Sequence, residues 1–298
     1  MASRREQQER DEMLQNRIIY SLPTRMGNWN EQLALREYET AMAKYKMQHC
    51  RLVVQNVKKV FHSVLKPTSL AVEAPSVQFG LNYQLKALAS PSKDTTSLYL
   101  SCLLNETDND VIQHFQQGCC FSASPLRIPC VRNTFRLRSP IHDEVDQRVR
   151  YGQDLLIEIY ESGDGEPLFL RSENLSTDTF GEHRAIRMSK FPDIYCRFKF
   201  LHWDPKKRHE TIDTTVKPDT TVIIQHVASG QNLAVEPHSL IPKFFGTECL
   251  VTCCTYRDSH KMETAENFWS VVSRPISDTA LYVRAAKGED INVEQFDD

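Results

Sequence analysis

The strongest constraint on the fold of this chain is a pattern of short apolar runs that recurs three times after Pro67. Each recurrence has an apolar run, a polar turn and a second apolar run, as on either side of the turn 161–165. Short runs separated by clusters of Gly, Pro, Ser and Asp are typical of β-hairpins rather than of helices. The region after Pro67 is therefore predicted to be mainly β.

The three hairpins begin units of similar order and spacing. The units open at Phe79-Gly80, Tyr151-Gly152 and Lys217-Pro218, and each closes on an aromatic strand. A single hairpin cannot bury its apolar face, whereas three copies around a pseudo-threefold axis can close a barrel and its cap over one core. The prediction is a β-trefoil of three units of about 70 residues, spanning 67–278. The alternative is an all-β sandwich in which the similarity of the hairpins is due to chance.

The first 66 residues differ from the rest and are predicted to form an N-terminal arm, 1–66. Its first part alternates Arg, Glu, Gln and Asp, and so few apolar side chains cannot offset the entropy lost on ordering. A helix is predicted from about 29 to 48, because Asn28 followed by Glu31 fits a capping box and an apolar stripe follows. Residues 51–66 also have helical spacing, although many are β-branched.

Composition argues against several classes of protein. Hydrophobic residues make up 40% and charged residues 25% of the 298 residues, as in an ordinary globular chain. A net charge of -3 lacks the positive balance of nucleic-acid-binding proteins, so no nucleic acid partner is expected. No run approaches the roughly 18 apolar residues that span a bilayer, and no secretory h-region is present, so we expect a cytosolic protein without a membrane partner. The segment 279–298 is predicted to be an acidic C-terminal tail.

The sequence contains no standard catalytic motif: no His-Glu-x-x-His, Gly-x-Ser-x-Gly or phosphate-binding loop occurs. The nine cysteines, in a reducing compartment, are expected to be free thiols. The best metal candidate is Cys249, Cys253, Cys254 and His260, but it lacks a C-x-x-C pair, and free cysteines are usually buried. For His226, a hydrogen-bonded core histidine is a commoner role than a catalytic base. We therefore predict no enzyme activity, no metal, no cofactor and no small-molecule substrate.

Two segments are candidate protein-binding sites. Lys206, Lys207 and Arg208 follow Asp204-Pro205 in a predicted turn. A basic turn is either an ordinary solvated surface or a contact for an acidic protein surface. Trp29, at the start of the predicted helix, either packs on that helix as a hydrophobic staple or anchors an interface.

Several segments of the chain carry a resemblance to a known family. They are Met26-Gly27-Asn28-Trp29-Asn30-Glu31 ahead of the helix, Lys66-Pro67 with Leu70-Ala71-Val72, Tyr151-Gly152-Gln153, and Ser229-Gly230-Gln231-Asn232-Leu233. Over nearly the whole chain, the sequence resembles the cilia- and flagella-associated protein 161 family. Its later half is also similar to MIR-type β-trefoils, in the Ser-Gly hairpin and the closing strand Asn267-Phe268-Trp269.

The resemblance implies a structural role in the axoneme. It implies a non-enzymatic microtubule inner protein on the luminal wall of doublet microtubules in motile cilia and flagella, with α/β-tubulin and neighbouring inner proteins as partners. The candidate interface residues are those of the basic turn together with Arg25, Gly27, Asn28 and Trp29, although the family pattern assigns none of them individually.

Two other functions remain open at this point. One is a cytosolic recognition module whose pocket, lined by Arg136, Arg138 or Trp203, binds a peptide, sugar or phosphate headgroup. The other is a thiol or metal enzyme that uses the segment 249–260.

Overall fold

The chain divides into two units, Met1–Asn56 and Val57–Asp298. The structure, a computed structural model, describes the following parts of the chain: 29–49, 52–89, 97–104, 114–141, 147–162, 165–172, 184–243 and 245–274. Within these ranges, no helix is both long enough and apolar enough to cross a membrane. The predicted boundaries of the arm, the β region and the tail stay predictions.

The first unit contains a 20-residue helix, α1 (Trp29–Gln48), at the position predicted for it. The helix is free of Gly and Pro, and Glu31 in its first turn and Lys46 in its last complement the helix dipole. The predicted cap, Asn28, lies outside the described residues. A second helix, α2 (Val53–Val64), begins in the first unit and ends in the second, where the side chain of Val64 is buried.

The strands that the structure describes all lie in the second unit, which is mainly β, as predicted. They are β1 (Asn82–Ala87), β2 (Leu98–Cys102), β3 (Phe121–Ser124), β4 (Phe135–Arg138), β5 (Asp154–Ile159), β6 (Phe169–Ser172), β7 (Arg184–Ser189), β8 (Arg197–His202), β9 (Thr221–His226), β10 (Leu233–Lys243), β11 (Gly246–Cys253) and β12 (Phe268–Val272). A four-residue helix, α3 (Arg208–Thr211), lies between β8 and β9.

Antiparallel pairing joins these strands into one closed sheet. Ten strands follow the order β11-β3-β2-β1-β12-β9-β8-β5-β6-β7, and the ring closes because β11 pairs with both β3 and β7. Strand β4 pairs with β1 and β5, which closes a shorter ring of six strands, β1-β4-β5-β8-β9-β12. Strand β10 pairs with β11. Closure gives backbone partners to strands that would otherwise be open edges.

This closed antiparallel barrel corrects the predicted β-trefoil of three equivalent units. The three hairpins differ: β6 has 4 residues, whereas β10 has 11 and its register with β11 shifts between Glu236 and Leu240. Strand β11 also pairs with β3 and with β7, the strands that follow the other two hairpins. Similar apolar patterns predict where strands occur, but they do not determine hairpin length or which strands pair at long range.

The interior of the barrel is packed with large apolar side chains. Phe135, Phe198 and Trp269, one from each closing strand, are at most 1% exposed. The indole Nε1 of Trp269 donates to the carbonyl oxygen of Leu233 at 3.0 Å, so its one polar atom is satisfied. The aromatic closing strands noted in the sequence are therefore core strands.

The ion pair between Arg132 and Glu248 lies fully inside the protein. The Arg132 Nη2 atom is 2.7 Å and 2.9 Å from the two carboxylate oxygens of Glu248, and both side chains are 0% exposed. The Ser122 hydroxyl donates to Glu248 at 2.5 Å, and the ring of Phe245 lies 4.0 Å from the Arg132 guanidinium. Phe61 of α2 packs edge-on against Phe245. The ion pair and the Ser122 hydrogen bond offset part of the cost of burying these charges, while Arg132 Nε and Nη1 have no hydrogen-bond partner among the described residues.

Glu248→Gln should strongly destabilise the barrel. The substitution leaves the Arg132 charge buried without its counter-ion, which costs about 3–5 kcal/mol. Urea unfolding followed by circular dichroism measures the free energy of unfolding. The control is Glu161→Gln, which removes the exposed ion pair with Lys66 (44% and 59% exposed) and should cost less than about 1 kcal/mol. A similar, small loss of unfolding free energy in both variants would contradict the role of Arg132 and Glu248 as a buried ion pair.

Candidate functional site

The basic turn, residues 204–208, lies on the surface between β8 and β9. The Asp204 side chain accepts a hydrogen bond from the Lys206 backbone N–H at 3.0 Å, and Pro205 follows at the first position of a 3₁₀ turn. Asp and Pro are favoured at these two positions because one caps free N–H groups and the other lacks an N–H to satisfy. Lys206 and Lys207 are exposed.

Arg208, the third predicted cation, anchors the turn to the barrel. Its Nε donates to the carbonyl oxygen of His202 at 3.0 Å. Its Nη2 lies 3.1 Å from a carboxylate oxygen of Glu263, a side chain that is 5% exposed. The structure therefore brings the three predicted cations together but gives them different roles: Lys206 and Lys207 are open to a partner, and Arg208 fixes their position.

Two exposed apolar side chains flank the basic turn. Trp203 is 42% exposed and Ile212 is 50% exposed. The indole of Trp203 packs on the neighbouring His202 ring at 5.8 Å and edge-on against Phe268 at 6.3 Å, so it is held in place. A fixed aromatic side chain beside cations is typical of protein interfaces. Ile212 was not among the predicted interface residues, although it lies only a few positions after Arg208 in the chain.

The other predicted interface residues belong to the first unit. Arg25, Gly27 and Asn28 lie outside the described residues. Trp29 is the first residue of α1, and its side chain lies outside the described part of the structure. Both alternatives for Trp29 therefore stay predictions.

A groove with a volume of about 590 Å³ opens on the surface of the second unit. The polar side chains in its wall include Gln84, Lys86, Tyr99, Arg127, Asp219 and Ser273. The wall does not include Arg136, Arg138 or Trp203, which were predicted to line a pocket. Arg138 pairs with Glu158, and Arg136 lies over the Tyr160 ring at 5.6 Å. The groove was not predicted, because the residues of its wall come from segments that are far apart in the sequence.

The predicted metal candidate does not assemble. Cys249, Cys253 and Cys254 are buried, whereas His260 is exposed. Burial raises the pKa of the Cys249 thiol and raises that of Cys253 to about 12, so both remain protonated at neutral pH. Across the part of the chain that the structure describes, no group of three or more His, Cys, Asp and Glu side chains has a metal-binding arrangement.

His226 is a core residue with both ring nitrogens in hydrogen-bonding contact. It is 0% exposed, with Nδ1 at 2.8 Å from the Ser229 hydroxyl and Nε2 at 3.0 Å from the Tyr195 carbonyl oxygen. Because a carbonyl oxygen only accepts, Nε2 carries the proton and Nδ1 accepts from Ser229. Burial lowers the pKa of His226, and the Tyr195 carbonyl opposes that shift.

His226 should make the protein sensitive to mild acid. Since its folded pKa lies below its ordinary value of 6.5, the unfolded chain binds the proton more tightly, and stability falls as the pH drops below about 6.5. Urea unfolding of the wild type and of His226→Gln at pH 7.5 and pH 5.5 measures this effect. The stability advantage of the wild type should narrow at the lower pH. If the stability difference between wild type and His226→Gln stays constant or widens at pH 5.5, the lowered pKa of His226 is contradicted.

Residues 56–274 match the cilia- and flagella-associated protein 161-like domain. This range includes the whole barrel, the basic turn and the groove. The chain belongs to the cilia- and flagella-associated protein 161 family. The resemblance noted in the sequence is thereby confirmed.

Curated members of the family from three vertebrates are similar to the chain along most of its length. The protein from Mus musculus is 28% identical over 294 residues, covering 93% of this chain and 96% of its own. The Danio rerio protein is 28% identical over 263 residues, covering 84% and 86%. The Bos taurus protein is 26% identical over 279 residues, covering 88% and 84%. Each is named cilia- and flagella-associated protein 161.

Solved structures with a partly similar arrangement are more distant. An SDF2-like protein from Arabidopsis thaliana has a TM-score of 0.46 and 15% identity, covering 67% of this chain and 98% of its own. A Caenorhabditis elegans protein of unknown function has a TM-score of 0.47 and 10% identity, covering 67% and 97%. Similarity at this level carries no conclusion about ligand or function.

Proposed function

We propose that this protein is a non-enzymatic, structural microtubule inner protein of axonemal doublet microtubules. In this proposal it binds the luminal tubulin wall, contacts α/β-tubulin and neighbouring inner proteins, and stabilises motile cilia and flagella. The observation that carries the proposal is membership of a family named for cilia and flagella, over a match that includes the whole barrel. The proposed location is the axoneme of a cilium or flagellum.

The surface around the basic turn supports the proposal of a protein partner. Lys206 and Lys207 project from a turn that Arg208 anchors, beside the partly exposed ring of Trp203. Cations attract an acidic protein surface over several ångströms, whereas a fixed aromatic side chain contributes contact area with little loss of side-chain entropy. This combination fits docking on a large, negatively charged protein wall.

The exposed apolar side chains of α1 also support the proposal of a protein partner. Leu35, Tyr38 and Tyr45 recur at spacings of three and seven, and they are 58%, 62% and 45% exposed. Helical spacing places these side chains on one face, which forms an apolar stripe. A partner that covers these exposed side chains would gain apolar contact area, as in helix-in-groove recognition.

Stabilisation of the microtubule follows from preferential binding. A protein that binds an assembled wall but not free subunits shifts the equilibrium towards assembly by mass action. The closed barrel and its anchored turn suit this role, since a rigid module loses little conformational entropy on docking. No chemical step is needed, in keeping with the raised pKa of the Cys253 thiol and the hydrogen-bonded state of His226.

Fractionation of isolated axonemes tests the proposed function directly. Mild detergent should remove the membrane and matrix while this protein stays with the doublet microtubules, and it should resist extraction with high salt. Recovery mainly in the soluble membrane and matrix fraction would overturn the proposal. Density for the barrel inside native doublets, seen by electron microscopy, would locate it on the wall.

The double variant Lys206→Glu with Lys207→Glu should bind axonemes more weakly. Reversing two exposed charges at the docking surface should lower affinity about tenfold, equivalent to about 1.4 kcal/mol. Quantitative immunoblotting of tagged protein in the axonemal pellet, in cells that lack the endogenous protein, measures retention. The matched control is Lys58→Glu with Lys217→Glu, two exposed lysines outside the turn. Equal retention of both double variants would count against a role for the basic turn.

A further inference from the structure

The groove on the second unit has fixed walls. Along one side, the Thr68 backbone N–H donates to the Pro129 carbonyl oxygen at 3.1 Å, which holds the segment 68–70 beside the loop 127–129. Beyond that segment, the Arg274 N–H donates to the Ala71 carbonyl oxygen at 2.8 Å. The floor comes from β1, β2 and the end of β12. Since hydrogen bonds already hold these segments together, a ligand need not order them.

The groove has an excess positive charge that centres on Arg127. Lys86 and Arg274 also line the groove, and they are opposed by Asp219, which lines it too, and by Glu73 nearby. Burial raises the pKa of Asp219, Glu73 adds to the rise, and Lys86 opposes it, so Lys86 and Asp219 partly neutralise each other. Arg127 is exposed and makes no side-chain ion pair with any residue that the structure describes.

Two of the hydroxyl-bearing side chains in the wall, Ser273 and Tyr99, add hydrogen-bonding capacity. Ser273 is 6% exposed, and its buried hydroxyl has no hydrogen-bond partner among the described residues. An unsatisfied buried hydroxyl is uncommon and gains from an acceptor brought by a ligand. Tyr99 is also 6% exposed, and the Arg127 guanidinium acts on its hydroxyl, opposing the rise in pKa that burial causes. The cation and the two hydroxyls thus lie along the same groove.

Apolar side chains also line the groove, and its volume suits a short peptide segment. Leu70, Ile128 and Val272 line the groove, and Ile128 is 67% exposed. A volume of about 590 Å³ is within the range of about 300–1,000 Å³ that is typical of ligand sites. A ligand with a carboxylate and flanking apolar groups would satisfy both parts of the wall.

We propose that this groove binds an acidic peptide segment of a partner protein. A carboxylate of the peptide accepts hydrogen bonds from Arg127 and from the Ser273 hydroxyl, and its apolar neighbours pack against Leu70 and Ile128. The groove is then a second docking site, independent of the basic turn, which reads a short acidic sequence rather than a broad charged surface. It is also independent of the axonemal location proposed above.

An array of synthetic hexapeptides tests the proposal with purified full-length protein. Each member has a central Glu between apolar residues and is paired with a member in which Gln replaces the Glu. The wild type should bind a subset of the Glu members and bind their Gln partners at least about tenfold more weakly. The best Glu member, labelled with fluorescein, is then titrated with wild type and variants by fluorescence anisotropy.

The variants separate the groove from general charge effects. Arg127→Glu should remove measurable binding. Ser273→Ala should weaken binding about three- to tenfold without lowering stability, because the hydroxyl has no hydrogen-bond partner among the described residues. The matched control is Arg257→Glu, an exposed arginine outside the groove, which should bind as the wild type does. Either equal binding of the Glu members and their Gln partners or equal loss of binding in both arginine variants would overturn the proposal.

Discussion

Pairing of β1 with β12 joins the two ends of the strand region, and the rest of the second unit depends on that closure. Its register sets Gln84 opposite Val272 and Ala87 opposite Trp269. The same pairing places Trp269 in the core and brings groove residues from β1 and β12 side by side. A closed sheet leaves few backbone groups for unintended pairing, so binding is assigned to side chains on turns and in the groove.

Charges in the barrel are divided between the interior and the surface. Inside the protein, Arg132 and Glu248 neutralise each other, and Glu248 of β11 accepts a hydrogen bond from Ser122 of β3. This buried pair therefore contributes to stability. At the basic turn, Arg208 pairs with Glu263, whereas Lys206 and Lys207 are exposed and can contact a partner. Arg127 in the groove also makes no side-chain ion pair with the described residues. The three regions show that an arginine or lysine takes its role from its neighbours and not from its residue type.

Local features of the fold could be predicted from the sequence, and long-range features could not. The turn signal Asp204-Pro205 placed the basic turn correctly, and the Gly- and Pro-free stretch placed α1. The β-trefoil of equivalent units was wrong, because the length of β10 and the double pairing of β11 do not follow from the apolar pattern. The groove was not predicted, because Tyr99, Arg127 and Ser273 are far apart in the sequence.

The sequence by itself determined the mainly β character of the second unit, the position of the basic turn and the family to which the chain belongs. These depend on residue type and short-range spacing, which act over a few positions of the chain. Only the tertiary structure decided that Arg208 is held by Glu263, that the Cys249 region has no metal arrangement, and that separate segments form a groove. Those outcomes depend on which strands pair and what each pairing buries, and closure of the barrel sets both.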